Sequence, residues 1–178
     1  AEVTINNNYS QDFGNLEIVK TTNSSDNSNQ ATPGTTKFTI TSDGGYSKTV
    51  TYSEFTNGKY KLEKIPTGNY TVVETNDEDA QIAGYTLAVT GDNNKAKAVA
   101  KDATANFDIT NTYSKDFGRL KLTKATSPAG LTPANTVFTL TYPDGTTTKD
   151  VKYSEFAADG TYTFDNLPTG RYTVTESV

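Results

Sequence analysis

At 178 residues, 33% of them hydrophobic, the chain has room for one large domain or two of about 90 residues, but not for a single thick core. It contains no Cys, His, Met or Trp, which excludes disulfides, Ser-His-Asp and Cys-His catalysis, and every imidazole or thiolate metal site. The net charge of −5 and pI near 4.7 argue against a nucleic-acid partner, which needs a basic stripe, and no apolar run approaches the ~20 residues of a membrane helix.

Abundant Thr, with 11 Tyr and 8 Phe, favours half-buried pleated surfaces and an all-β chain. In chain order, residues 1–8 read as the last strand of a preceding repeat. Two-residue alternation then predicts strands over 15–21, 36–41, 47–52, 59–63, 69–75, 85–90, 95–100 and 105–113. A second series follows at 119–125, 136–142, 147–153, 161–164 and 171–177. Pro66-Thr67-Gly68, Pro143-Asp144-Gly145 and Pro168-Thr169-Gly170 are turn signals, with Pro setting φ and Gly accepting φ > 0. Residues 22–34, rich in Ser, Asn and Thr, read as a solvated loop, and short helical turns are expected around Ser53–Phe55 and Ser154–Phe156. Several short strands at this spacing suggest a small sandwich.

An internal repeat organises these elements. The run Ile5-Asn6-Asn7-Asn8-Tyr9 reappears as Ile109-Thr110-Asn111-Thr112-Tyr113, and Leu16-Glu17-Ile18-Val19-Lys20 as Leu120-Lys121-Leu122-Thr123-Lys124. Tyr52-Ser53-Glu54-Phe55 returns as Tyr153-Ser154-Glu155-Phe156, and Tyr70-Thr71-Val72-Val73-Glu74 as Tyr172-Thr173-Val174-Thr175-Glu176. One complete module spans 9–113. A second, 114–178, has no counterpart of residues 77–113. The short link from Tyr113 to Gly118 lacks a Gly/Ser tract, so the modules are expected end to end, as a slice of a longer array.

Within each repeat, inward-facing series end on polar groups, because alternate residues of a strand share one face. Leu16, Ile18 and Lys20 form one series, Tyr70, Val72 and Glu74 a second, and Phe107, Ile109 and Asn111 a third. A single such residue reads most simply as a strand end opening to water, where Lys snorkels. Three in one module, each copied wherever the repeat is present, point to a shared purpose. Desolvation of a Lys beside a Glu is costly unless the pair is neutralised or bonded. Burial disfavours the charged forms of both groups, so a neutral amine can attack the Asn carboxamide while a neutral carboxylic acid bonds the carboxamide oxygen and shuttles protons. Ammonia leaves, and a Lys–Asn isopeptide bond joins the first and last strands. Packing supplies the proximity, which is worth ~7–11 kcal/mol of barrier in good geometry.

The combination Leu-x-Ile/Leu-x-Lys, then Leu/Ile-Pro-Thr-Gly-x-Tyr-Thr-Val-x-Glu, then Ile-x-Asn-x-Tyr resembles the Cna B-type domain of the collagen-binding adhesin family, over essentially the whole chain. The resemblance implies tandem transthyretin-like, inverse immunoglobulin β-sandwich modules of Gram-positive surface proteins and pilins. It implies Lys20 and Asn111 as bond partners in the first module, with Glu74 as the acid. Lys124 and Glu176 match the amine and acid of the second module, whose asparagine is missing. Asn7 occupies the acceptor position on a strand without its own module, so head-to-tail association through residues 1–9, linking Asn7 to Lys124 of a neighbouring molecule, is one reading, and an uncapped end is the other.

Asp77-Glu78-Asp79 and Asp92-Asn93-Asn94 offer oxygen ligands but not an EF-hand's spacing; they read as solvated turns. Glu54 and Glu155 read as surface or loop-capping residues. No metal and no cofactor are expected, and no catalytic turnover beyond self-crosslinking. The expected function is the stalk of a bacterial adhesin or pilus-like fibre, extracellular and attached to the cell wall, with neighbouring repeats as partners and no membrane insertion. A module binding a host protein or glycan is the alternative, and an accessory module of a carbohydrate-active enzyme a third reading.

Overall fold

The structure is a computed structural model that describes residues 1–26, 28, 30–126 and 131–177. The parts of the expected 22–34 loop and of the second module that fall on 27, 29, 127–130 and 178 lie outside the described residues. The chain divides into two compact units, Ala1–Ser114 and Lys115–Val178. The all-β expectation holds in both.

The first unit contains β1 (Phe13–Ser24), β2 (Lys37–Ser42), β3 (Ser47–Thr51), β4 (Lys59–Pro66), β5 (Gly68–Thr75), β6 (Tyr85–Gly91), β7 (Ala96–Val99) and β8 (Thr104–Lys115). They form two four-stranded sheets, ordered β4-β1-β8-β6 and β3-β2-β5-β7. Leu16, Ile18, Phe107 and Ile109 project from the first sheet onto Phe38, Ile40, Tyr70 and Val72 of the second, all at most 1% exposed. β1 and β8 are parallel neighbours, with Leu16 opposite Ala105, Lys20 opposite Ile109 and Thr22 opposite Asn111. The module's first and last strands therefore lie side by side.

β1 runs on to Ser24 rather than stopping at residue 21, because its ladder with β8 continues to the Ser24–Tyr113 pair. The loop beyond it is not uniformly solvated, since Thr32 is buried and its hydroxyl lies 2.6 Å from that of Thr22. The repeated Tyr-Ser-Glu-Phe segments form 3-10 turns at Tyr52–Glu54 and Tyr153–Glu155. Glu54 and Glu155 each accept the backbone N–H three residues earlier, at 2.7 Å, which satisfies a donor the turn leaves unpaired. The Phe that follows packs on the core, Phe55 on Phe38 at 4.8 Å and Phe156 on Phe138 at 5.0 Å between ring centroids. Gly91 ends β6 at φ +89, where a Cβ would sit 2.1 Å from the Asp108 carbonyl oxygen. Only glycine fits so close an approach to β8.

The acidic turns make local bonds. Asp77 pairs with Lys37, and Ala80 of the 3-10 turn Glu78–Ala80 is fully buried. Asp92 accepts from Lys97 Nζ and from the Asp108 N–H, while Asn93 Oδ1 accepts the Glu74 N–H at 2.8 Å.

The second unit contains β9 (Phe117–Thr123), β10 (Val137–Thr141), β11 (Thr148–Lys152), β12 (Thr161–Pro168) and β13 (Thr173–Ser177). Its β11-β10-β13 and β12-β9 pairings repeat β3-β2-β5 and β4-β1. Phe138, Leu140, Val151, Phe164 and Leu167 form its core. Among the described residues, β9 pairs only with β12, so the edge that β8 occupies on β1 carries no strand. Residues 1–12 form no strand, and Val3, Ile5 and Tyr9 are 84%, 82% and 92% exposed.

Candidate functional site

Lys20, Glu74 and Asn111 come together inside the first unit. The alternation that buries Leu16 and Ile18 carries Lys20 into the core from β1, and the one that buries Phe107 and Ile109 carries Asn111 there from β8. In the parallel register Asn111 lies one two-residue step beyond the partner of Lys20, on the same face. Glu74 reaches them from β5, across the sandwich. All three residues are buried: Asn111 fully, Lys20 and Glu74 with side chains at 0% exposure.

Lys20 Nζ lies 3.0 Å from Glu74 Oε2. Asn111 Nδ2 donates to Glu74 Oε1 at 2.6 Å. One carboxylate thus touches the amine with one oxygen and the carboxamide nitrogen with the other. The expected contact to the carboxamide oxygen is replaced by one to nitrogen, because a carboxylate oxygen accepts and the NH₂ is the donor of the amide. Asn111 Oδ1 and the hydroxyl of Tyr113, two residues on, are both buried without a hydrogen-bond partner.

Electrostatics favour reactivity at the amine. Burial pushes the Lys20 ammonium below its ordinary value, and the Glu74 carboxylate beside it opposes that push without cancelling it. Burial likewise pushes the Tyr113 phenol up. A buried charged pair gains little stability, since desolvation offsets the Coulomb attraction.

The second unit holds the same pair in a different environment. Lys124 Nζ lies 2.8 Å from Glu176 Oε2, with side chains 21% and 36% exposed. Glu176 stands opposite Phe138 as Glu74 stands opposite Phe38. Asn7, the remaining candidate acceptor, lies in the exposed segment 1–12.

Two residues escaped the sequence reading. Asn76 Nδ2 donates to Glu74 Oε1 at 2.9 Å, and Thr36 Oγ1 donates to Asn76 Oδ1 at 3.1 Å. Their signal was present: the inward alternation runs one step past each strand, through Thr36 before Phe38 and Asn76 after Glu74.

Residues 16–114 match the family described as Domain of unknown function (DUF5979), and residues 118–178 match SpaA, the Prealbumin-like fold domain. No curated protein matches the chain. Among solved structures, the Bacillus anthracis TIE protein is 24% identical over 94% of this chain with a TM-score of 0.54, and this chain spans 28% of that one. The C-terminal fragment of pilus adhesin SpaC from Lactobacillus rhamnosus GG is 15% identical, covering 94% of this chain and 76% of its own, with a TM-score of 0.50. A single B repeat unit of the collagen binding surface protein of Staphylococcus aureus is 21% identical over 93% of this chain and 86% of its own, with a TM-score of 0.35. At these identities the likeness to solved structures is one of fold.

Proposed function

Because the chain belongs to the DUF5979 family in its first module and matches the SpaA prealbumin-like domain in its second, we propose that it is a stalk segment of a bacterial surface adhesin or pilus-like fibre, stapled by a self-formed isopeptide bond between Lys20 and Asn111. The observation that carries this reading is the buried Glu74 carboxylate, 3.0 Å from the Lys20 amine and 2.6 Å from the Asn111 amide nitrogen. Glu74 Oε2 takes a proton from Lys20, and the freed amine attacks Asn111 Cγ. The Nζ–Cγ bond forms and the Cγ–Nδ2 bond breaks, with Glu74 giving its proton to the departing nitrogen and taking the second proton from Nζ, so that it ends as the neutral acid. Amine and carboxamide become a secondary amide and ammonia, so the step needs no oxidant and no cofactor. It happens once per molecule. The work of such a module is to hold its shape under tension at the cell surface.

A second reading concerns the second unit, and exposed groups favour it. Among the described residues β9 has an unpaired edge, Lys124 and Glu176 sit 2.8 Å apart, and Val3, Ile5 and Tyr9 are bare. Laid on β9 in the register of β8 on β1, segment 1–9 of another copy sets Ile5 opposite Lys124 and Asn7 one step beyond, as Ile109 and Asn111 stand to Lys20.

One denaturing gel tests both. The wild-type monomer is expected to run ahead of Lys20→Ala, because a closed loop is more compact than an open chain. Covalent head-to-tail linkage adds a ladder of multimers that Asn7→Ala abolishes. Equal monomer mobility contradicts the first reading, and a lane of monomers alone contradicts the second.

A further inference from the structure

Resting on the isopeptide reading, we infer that Asn76, oriented by Thr36, is a positioning residue that assigns the two oxygens of Glu74 to different tasks. The acid has to meet the amine with one oxygen and the leaving nitrogen with the other. A carboxylate does not hold that distinction by itself, because the terminal torsion of Glu is broad and two-fold. Asn76 breaks the symmetry. Oε1 accepts two N–H groups, from Asn111 at 2.6 Å and Asn76 at 2.9 Å, while Oε2 faces Lys20 Nζ alone at 3.0 Å. The Asn111 donor is consumed when its nitrogen leaves, so Asn76 is the donor that persists through the reaction.

Asn76 is in turn fixed. Its Oδ1 accepts from the Thr36 hydroxyl, and Thr36 is fully buried. The Thr36 carbonyl accepts the Tyr52 N–H at 2.8 Å and its own N–H donates to Pro33 at 3.0 Å, which locks the residue from both sides. The second module supplies a contrast. The sequence position matching Asn76 there is Val178, which has no amide to offer. The hydroxyl of Thr136, the counterpart of Thr36, is buried without a hydrogen-bond partner among the described residues.

The test follows bond formation over time. The 178-residue chain, made by chemical synthesis and ligation in denaturant, is diluted to refold, and ammonia loss is read by intact mass. Asn76→Leu and the isosteric Asn76→Asp, which offers no N–H to Glu74, are each expected to slow the reaction on the order of tenfold, as one lost hydrogen bond implies. Asn76→Gln, which keeps the amide, is expected to recover most of the rate. Thr36→Val is expected to slow it less, and to add nothing once Asn76→Leu is present. A merely structural role would make Asn76→Gln no better than Asn76→Leu, and that result overturns the inference, as does a wild-type rate in Asn76→Asp. A wild-type chain that keeps its ammonia overturns the isopeptide reading itself, and this inference with it.

Discussion

Pulled from its two ends, the wild-type first module is expected to give no unfolding step, whereas its Asn111→Ala variant gives one with a length gain on the order of 300 Å, taking ~3.3–3.6 Å per extended residue. The difference follows from the parallel pairing of β1 and β8. Force enters at the start of β1 and leaves at the end of β8, so without a covalent link it shears the two strands past each other. With the link, tension runs along β1 to Lys20, crosses to Asn111 and exits through the last residues of β8. Everything from Thr21 to Thr110 is then off the path of force. The second unit, where the sequence has no counterpart of Asn111, is expected to unfold in both chains, which marks each trace as a single molecule. Single-molecule extension checks this, and equal total lengths for the two chains would contradict it.

The second large effect is thermodynamic, and the informative variant is Lys20→Met/Glu74→Gln, which removes both charges of the buried pair and leaves the Asn111 N–H an acceptor. Replacing both members of a buried ion pair by uncharged side chains of similar size is ordinarily neutral or stabilising, whereas removing one alone strands the other charge. If Lys20 is one end of a staple, the same change opens a loop of about 100 residues and is expected to cost about 4–5 kcal/mol, by analogy with a disulfide of that span. For a module of this size that is a fall in Tm on the order of 20–30 °C. The opposite signs of the two expectations make the measurement decisive. Calorimetry of the first module's transition checks it, and an unchanged or raised Tm in Lys20→Met/Glu74→Gln would count against the staple.

Much of this was legible in the sequence because a β-strand writes its two faces in alternate letters. Leu16-x-Ile18-x-Lys20 and Tyr70-x-Val72-x-Glu74 declare both a buried face and a polar residue on it, and the repeat at 120–124 and 172–176 removes coincidence. What alternation does not carry is pairing. That β1 lies parallel to β8, and that Glu74 comes from the opposite sheet, are tertiary facts that depend on loops with no periodic pattern. The far end of β1 was missed for the same reason: Thr21-Thr22-Asn23-Ser24 reads as loop by composition and is strand because β8 supplies its ladder. Thr36 and Asn76 lie just outside strand bounds, where alternation is normally no longer counted, yet the face continues through them. The orientation of the Asn111 amide is set by the carboxylate it meets, and no spacing encodes it.

Accurate intact mass of the purified chain bears most directly on the central claim. The wild-type protein is expected to weigh less than its sequence by one ammonia, Lys20→Ala and Asn111→Ala to weigh what their sequences dictate, and Glu74→Ala to fold while retaining the ammonia. A folded wild-type chain at full sequence mass would contradict the account.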